Sequence, residues 1–151
     1  MNGVSIDYFL PYQKLWIAEP ARFAVGEKSR RIGFTHAHAY GAVEGRVLGK
    51  GNYWHSSADQ TASDEMVEEC STWAKVFNVA AEVINVEEVI DDQKITTRQL
   101  RFQNGKRIIC GSSNPKFFRS KGGHVGLDEF AFHKSGRELI KAAHASAMVW
   151  G

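Results

Sequence analysis

Cysteine is scarce in this chain. Only Cys70 and Cys110 are present, far from any C-x-x-C spacing. That excludes a disulfide framework or thiolate zinc site and makes a reducing, cytosolic setting the expectation. No apolar run approaches the ~20 residues of a membrane span, so no membrane partner is expected. The N-terminus lacks a basic segment followed by an apolar one, which argues against a signal peptide. Charge of one sign is also in short supply. A net charge of +2 does not by itself argue for nucleic acid. Repeats and low-complexity tracts are absent. What remains is 43% hydrophobic and 24% charged over 151 residues, an ordinary composition at the commonest single-domain size of ~100–150.

One basic stretch organises the rest. Lys28-Ser29-Arg30-Arg31-Ile32-Gly33-Phe34-Thr35 follows the apolar run Phe23-Ala24-Val25 and precedes Ala37, Ala39, Ala42, Val43 and Val47. This predicts a strand, a tight turn, then a helix over 36–48 ended by Gly49 and Gly51. Such a turn presents backbone N–H groups at a helix N-terminus, where the dipole favours a phosphate. Thr35 closes the turn and can offer its hydroxyl to Mg²⁺. Against the usual G-x-x-x-x-G-K-[ST], Phe34 stands in the lysine position and Lys28 in that of the first glycine. The loop needs a cation near the phosphates, and Lys28 can fold across the same concavity. Arg30 and Arg31 are further candidates suited to bidentate phosphate contact. The same stretch also reads as a basic, solvated turn in an ordinary α/β domain.

Upstream, Pro11 can start a helix whose Tyr12, Leu15 and Trp16 fall at the spacing of a buried stripe. The Gln13 amide can donate and accept at once, which matches the N6/N7 edge of adenine, and Tyr12 can stack on a base. Their alternative is a helix with core aromatics. His36 and His38 lie on different faces of the next helix, a poor arrangement for a shared metal. They read as structural or as neighbours of a nucleotide.

Downstream, 52–57 reads as a strand. Ser63 reads as the cap of an amphipathic helix carrying Met66, Val67, Cys70, Trp73, Ala74 and Phe77. Alternation over 95–102, Asn104-Gly105 and the run 106–110 predict a hairpin. Lys116 to Gly123 is a basic, aromatic, glycine-ended loop, a phosphate contact or simply a surface loop. His124 to Leu127 reads as a short strand ending in Asp128 and Glu129, at the end where open parallel sheets bind ligands. Asp128 suits Mg²⁺, directly or through water, and Glu129 suits deprotonating a water. A last helix is expected from Ser135 to Met148, with a strand beginning at 149–151.

With these motifs in place, the chain resembles the N-terminal ATPase region of phage terminase large subunits, and among them the Mu-like phage and prophage branch. That family's adenine-binding L-P-x-Q segment is matched by Leu10-Pro11-Tyr12-Gln13. A variant phosphate loop with its lysine first, K-S-x-R-x-G-x-[ST], is matched by Lys28, Ser29, Arg31, Gly33 and Thr35. The arginine-containing loop before the acidic strand is matched by Asn114-Pro115 through Gly122, and the Walker B run by Leu127-Asp128-Glu129-Phe130-Ala131-Phe132-His133.

The resemblance implies an α/β P-loop NTPase fold of the ASCE type, with a mainly parallel sheet flanked by helices and a hairpin excursion near 95–110. It implies ATP and Mg²⁺ and hydrolysis that drives DNA into a procapsid. Residues 12, 13 and 28–35, Ile32 and Phe34 included, would bind nucleotide. Thr35 and Asp128 would hold the metal, and Glu129, Lys28, Arg30 and Arg31 would serve hydrolysis. Implied partners are double-stranded phage DNA, the terminase small subunit, the portal protein and, at full length, further copies of the chain, in the bacterial host's cytoplasm. The family's coupling motif and nuclease domain lie beyond these 151 residues, so a truncated frame, a prophage remnant or a cut piece is expected. A helicase-like DNA-dependent ATPase, or a remnant that only binds nucleotide, is the alternative.

Overall fold

A computed structural model describes residues 8–29, 31–118 and 121–150, the last three without their side chains. In chain order the elements are α1 (Pro11–Ala18), α2 (Phe34–Val47), β1 (Tyr53–Ser56), α3 (Gln60–Val76), β2 (Ala81–Ile90), β3 (Gln93–Phe102), β4 (Arg107–Gly111), β5 (His124–Leu127) and α4 (Gly136–Trp150). They form an α/β domain around a five-stranded sheet in the order β2-β3-β4-β1-β5.

The expected mainly parallel sheet is mixed. β1 pairs in parallel with β4 and β5, while β3 is antiparallel to both β4 and β2. The hairpin expected near 95–110 is there, with Gly105 in the left-handed region at φ 81°. Strand β2, however, extends it into a three-stranded meander that the sequence reading missed. Its two-residue turn, Asp91-Asp92, has φ of 48° and 59°, the positive pair a tight hairpin requires. Asp-Asp is a weaker hairpin signal than Asn-Gly, and β2 is an edge strand whose exposed and half-buried positions alternate while its apolar residues, Val83-Ile84 and Val89-Ile90 in pairs, do not.

Alternation along the central strands divides the core between two faces. Tyr53, Ile108 and Cys110 join α2 and α3 in one cluster that also holds Val43, Met66 and Trp73. Trp54 and Ile109 face the other way, onto Phe117, Phe118, Leu139 and Ala143. Phe117 and Phe118 of the basic loop are therefore core residues on a short 3-10 turn.

Four local expectations are corrected. The run Phe23-Ala24-Val25 forms no strand: Phe23 is 66% and Val25 80% exposed, and among the described residues no neighbouring strand supplies the ladder that extended backbone needs. Helix α1 does not bury the Tyr12-Leu15-Trp16 stripe. Leu15 is 75% exposed and the buried residue is Gln13, while Trp16 packs on Phe34 and Ile17 is only partly buried against the core. Helix α3 starts earlier than read, capped by Asp59, whose Oδ1 accepts from Ala62 N at 2.9 Å. Ser63 lies one turn inside and donates to the Gly111 carbonyl at 2.8 Å, tying α3 to β4. Finally, residues 149 and 150 continue α4 rather than begin a strand.

Candidate functional site

The three parallel strands end together. β1 runs out at Ser56-Ser57, β4 at Gly111-Ser112-Ser113 and β5 at Asp128. Hydrogen bonds lock these ends: Asp128 N donates to Ser56 O at 3.0 Å, Ser57 N to Gly111 O at 3.2 Å, and Ser56 Oγ to Ser112 O at 3.2 Å. The carboxyl ends of parallel strands are where open α/β sheets bind ligands.

The basic loop meets this edge. Lys28 Nζ lies 3.2 Å from Asp128 Oδ1, both side chains about four-fifths covered, and 5.6 Å from the Phe34 ring centroid. Burial alone would raise the Asp128 pKa. The charges of Lys28 and His55, with hydrogen bonds from Lys28 and the Glu129 N–H, overcome it and hold the carboxyl below its ordinary value. Asp128 is thus kept ionised, as a metal ligand must be.

The loop ends at the N-terminus of α2. Gly33, its cap residue, is left-handed at φ 73° and brings no side-chain cap to the first-turn N–H groups. Arg31 is left-handed too, at φ 58°, and exposed. Ser29 is exposed, while Ile32 and Thr35 are half-buried, Thr35 in the first turn of α2. Arg30 lies outside the described residues, as do Arg119 and Ser120 of the second basic loop. Helix α1 clasps the loop from behind. Gln13 Nε2 donates to Gly33 O at 2.8 Å while its Oε1 accepts from Leu10 N at 2.9 Å, and the Tyr12 hydroxyl donates to Ile32 O. Each of these carboxamide atoms keeps one further hydrogen-bonding position. Lys116 and Lys121, in contrast, turn to the meander, with Lys121 3.0 Å from Glu88 and Lys116 3.6 Å from Asp91.

Beneath β5 lies a polar string of which the sequence reading named His38, as structural or a neighbour of a nucleotide, but not the partners Tyr53 and His55. The Trp16 indole N–H can only donate, and it meets His38 Nδ1 at 3.1 Å, so His38 carries its proton on Nε2 and gives it to the Tyr53 hydroxyl at 2.5 Å. Burial lowers the His38 pKa to about 4, against the pull of Asp128 and helped by Lys28. His55, on the same face of β1 as Tyr53, is held below its usual range by burial and by His38. A Cβ at Gly126 would lie 1.9 Å from the Tyr53 hydroxyl and 2.9 Å from His38 Nε2, so only glycine lets this string pass under the acid strand. For Tyr53 and His55 the signal in the sequence was their spacing, two apart on a strand and hence on one face.

Among the described residues, no group of three or more His, Cys, Asp or Glu forms a metal cluster, and no helix is long and apolar enough to cross a membrane. Comparison with known proteins places the chain. It is 38% identical over 147 residues to "Mu-like prophage FluMu protein gp28" of Haemophilus influenzae, covering 94% of this chain and 29% of that protein. It is 35% identical over 152 residues to "Probable terminase, large subunit gp28" of Escherichia phage Mu, covering 95% of this chain and 27% of that protein. The chain is a homologue of gp28 of Mu-like phages. It spans less than a third of the length of these gp28 relatives. No protein-family profile and no solved structure matches it.

Proposed function

We propose that this gp28-related chain is part of the ATP-hydrolysing motor of a phage DNA-packaging terminase large subunit, with a P-loop-type nucleotide site between the 28–35 loop and the end of β5. One observation carries this reading. The loop's first cation and the strand's terminal acid, far apart in sequence, meet at 3.2 Å at the foot of a helix with no side-chain cap. A Mg-nucleotide site needs a cation and an ionised carboxylate together there, and this pair is about four-fifths covered rather than solvated.

The residues present fit such a group. The α2 N-terminus offers backbone donors, Lys28 with Arg31 and Arg30 offers cations, and Thr35 and Asp128 offer oxygen ligands. Mg²⁺ held by Thr35 and Asp128 would supply charge neutralisation on the phosphates. Lys28 and Asp128 neutralise each other across 3.2 Å. Phosphates and metal would replace that pairing with a partner for each charge. Glu129, next along the chain, would take the proton of the attacking water. Gln13 and Tyr12 would face the adenine while holding the loop's own carbonyls. DNA, the small subunit and the portal are the partners this role implies for the longer protein.

Calorimetric titration of Mg-ATP into the wild-type chain and into Asp128→Asn, with ATP turnover followed with and without DNA, tests the reading. Saturable Mg-ATP binding that Asp128→Asn weakens supports it; no binding by the wild type overturns it. Binding without turnover leaves the chain a nucleotide-binding remnant.

A further inference from the structure

Glu129 has an unusual backbone. At φ 49° and ψ 41° it sits in the left-handed region that L residues with long side chains seldom adopt. Such a conformation persists only where surrounding contacts over-determine it. The peptide unit joining Asp128 to Glu129 is held at both ends. Its N–H donates to Asp128 Oδ1 at 2.8 Å, and its carbonyl accepts from His133 Nε2 at 2.9 Å. His133 is itself fixed, with Nδ1 2.7 Å from Ser113 Oγ, just past the end of β4.

We propose that His133 is a positioning residue, which sets the Asp128–Glu129 peptide plane and so aims the Glu129 carboxylate. The proposal rests on the nucleotide-site reading above and adds a residue to it. A carbonyl can only accept, so Nε2 bears a proton. In the neutral ring Nδ1 is then a lone pair, which the Ser113 hydroxyl satisfies by donating. Ser113 thereby selects the tautomer that grips Asp128 O. A 3-10 turn over Phe130–Phe132 carries the chain back, with Phe132 N donating to Glu129 O at 2.9 Å, and returns the imidazole beneath Asp128. The other grip on the peptide is less permanent. It uses the same Oδ1 that pairs with Lys28, an oxygen that a metal at the proposed site would also call on. The His133 grip uses no carboxylate and would be unaffected by such a metal. His133 is buried, at 8% exposure, and among the described residues its ring nitrogens bond Ser113 Oγ and the Asp128 carbonyl. Its effect therefore passes through the backbone of Glu129.

The test compares His133→Leu, His133→Gln and Ser113→Ala with wild type in the 151-residue chain. Glutamine places an amide N–H where Nε2–H was; leucine does not. Two readouts are taken. The first splits kcat from KM for Mg-ATP. His133→Leu should lower kcat by roughly 10-fold or more, within the ~10²-fold that a misplacement near 1 Å can cause. KM and calorimetric affinity should stay within about twofold, and His133→Gln should recover most of kcat. The second readout is the Glu129 amide resonance with its HN–Hα coupling, which reports φ at Glu129 without any turnover. It should move in His133→Leu, move less in Ser113→Ala and stay in place in His133→Gln. An unmoved coupling in His133→Leu overturns the proposal, as does a wild-type kcat in that variant. If the wild type binds no nucleotide, the functional reading fails on its own, and the coupling still decides whether His133 sets this peptide. If His133→Leu does not fold, Ser113→Ala and His133→Gln, judged by the same coupling, decide it.

Discussion

Lys28 and Asp128 share one oxygen's reach: Nζ stands 3.2 Å from Oδ1, the same oxygen that accepts the Glu129 N–H at 2.8 Å. The loop before α2 and the acidic end of β5 are therefore one electrostatic unit. Disturbing either member is felt by the other.

Lys28→Ala should raise the Kd for Mg-ATP by ~10²-fold or more, because a phosphate contact desolvated in the loop carries several kcal/mol. Phe34→Ala, at the position where the usual loop has its lysine, should change the Kd only a few-fold, since Phe34 packs its ring on Trp16 at 4.8 Å and contributes no charge. Titration calorimetry measures both. Wild-type affinity in Lys28→Ala would remove the loop from the site.

Gln13 should make the site prefer ATP to GTP, because a buried amide matched to one base edge leaves polar groups unpaired against the other. Gln13→Ala should erase the preference and also lower stability by about 1–3 kcal/mol, since the Leu10 N–H and Gly33 carbonyl lose their partner. Competition binding with the two nucleotides and urea denaturation follow the two effects. Equal affinity of the wild type for ATP and GTP would exclude Gln13 as a base reader.

Gly126→Ala should destabilise the fold by at least about 1–3 kcal/mol, the usual range for overpacking, because its Cβ would fall 1.9 Å from the Tyr53 hydroxyl. Tyr53→Phe removes that oxygen, and the double variant should recover part of the loss. Additive losses in the double-mutant cycle, read from denaturant midpoints, would show that the hydroxyl is not the obstacle.

Stability should fall between pH 6.5 and pH 4. His38 folds neutral with its pKa lowered to about 4 by burial, whereas the unfolded chain takes up that proton near 6.5. Below 6.5 the unfolded state binds the extra proton, so acid favours unfolding, by up to about 3 kcal/mol from His38, whose own share levels off below pH 4. The depressed carboxyl of Asp128 acts in the same direction but at lower pH, below its unfolded value of 3.8. Denaturant melts at stepped pH should show a shallower slope through the first window in His38→Gln, the remainder coming from His55, which burial also holds below its usual range. An unchanged slope would place the acid sensitivity elsewhere.

Local features were legible in the sequence because they depend on near neighbours. The helical spacing from Met66 to Trp73, the glycines that close α2, the Asn104-Gly105 hairpin and the short strand before Asp128 each follow from a few adjacent side chains, and the structure has them all. Candidate site residues were legible for a similar reason, since a basic loop before a helix and acids after a strand are local patterns. What needs a partner from afar was not legible. Phe23-Ala24-Val25 has strand composition but no neighbour to pair with among the described residues. Ser63 has cap chemistry, yet its hydroxyl serves Gly111.

The sequence by itself determined most of the helices, the central strands and the chemical inventory, because period, turn residues and side-chain type are properties of short stretches. Only the tertiary structure decided the sheet's mixed order, the closure of Lys28 on Asp128, the passage of Tyr53 under Gly126 and the grip of His133 on the peptide before Glu129. Those contacts join residues that no local pattern links. Each is selected by what the folded chain leaves within hydrogen-bonding distance once its core is packed.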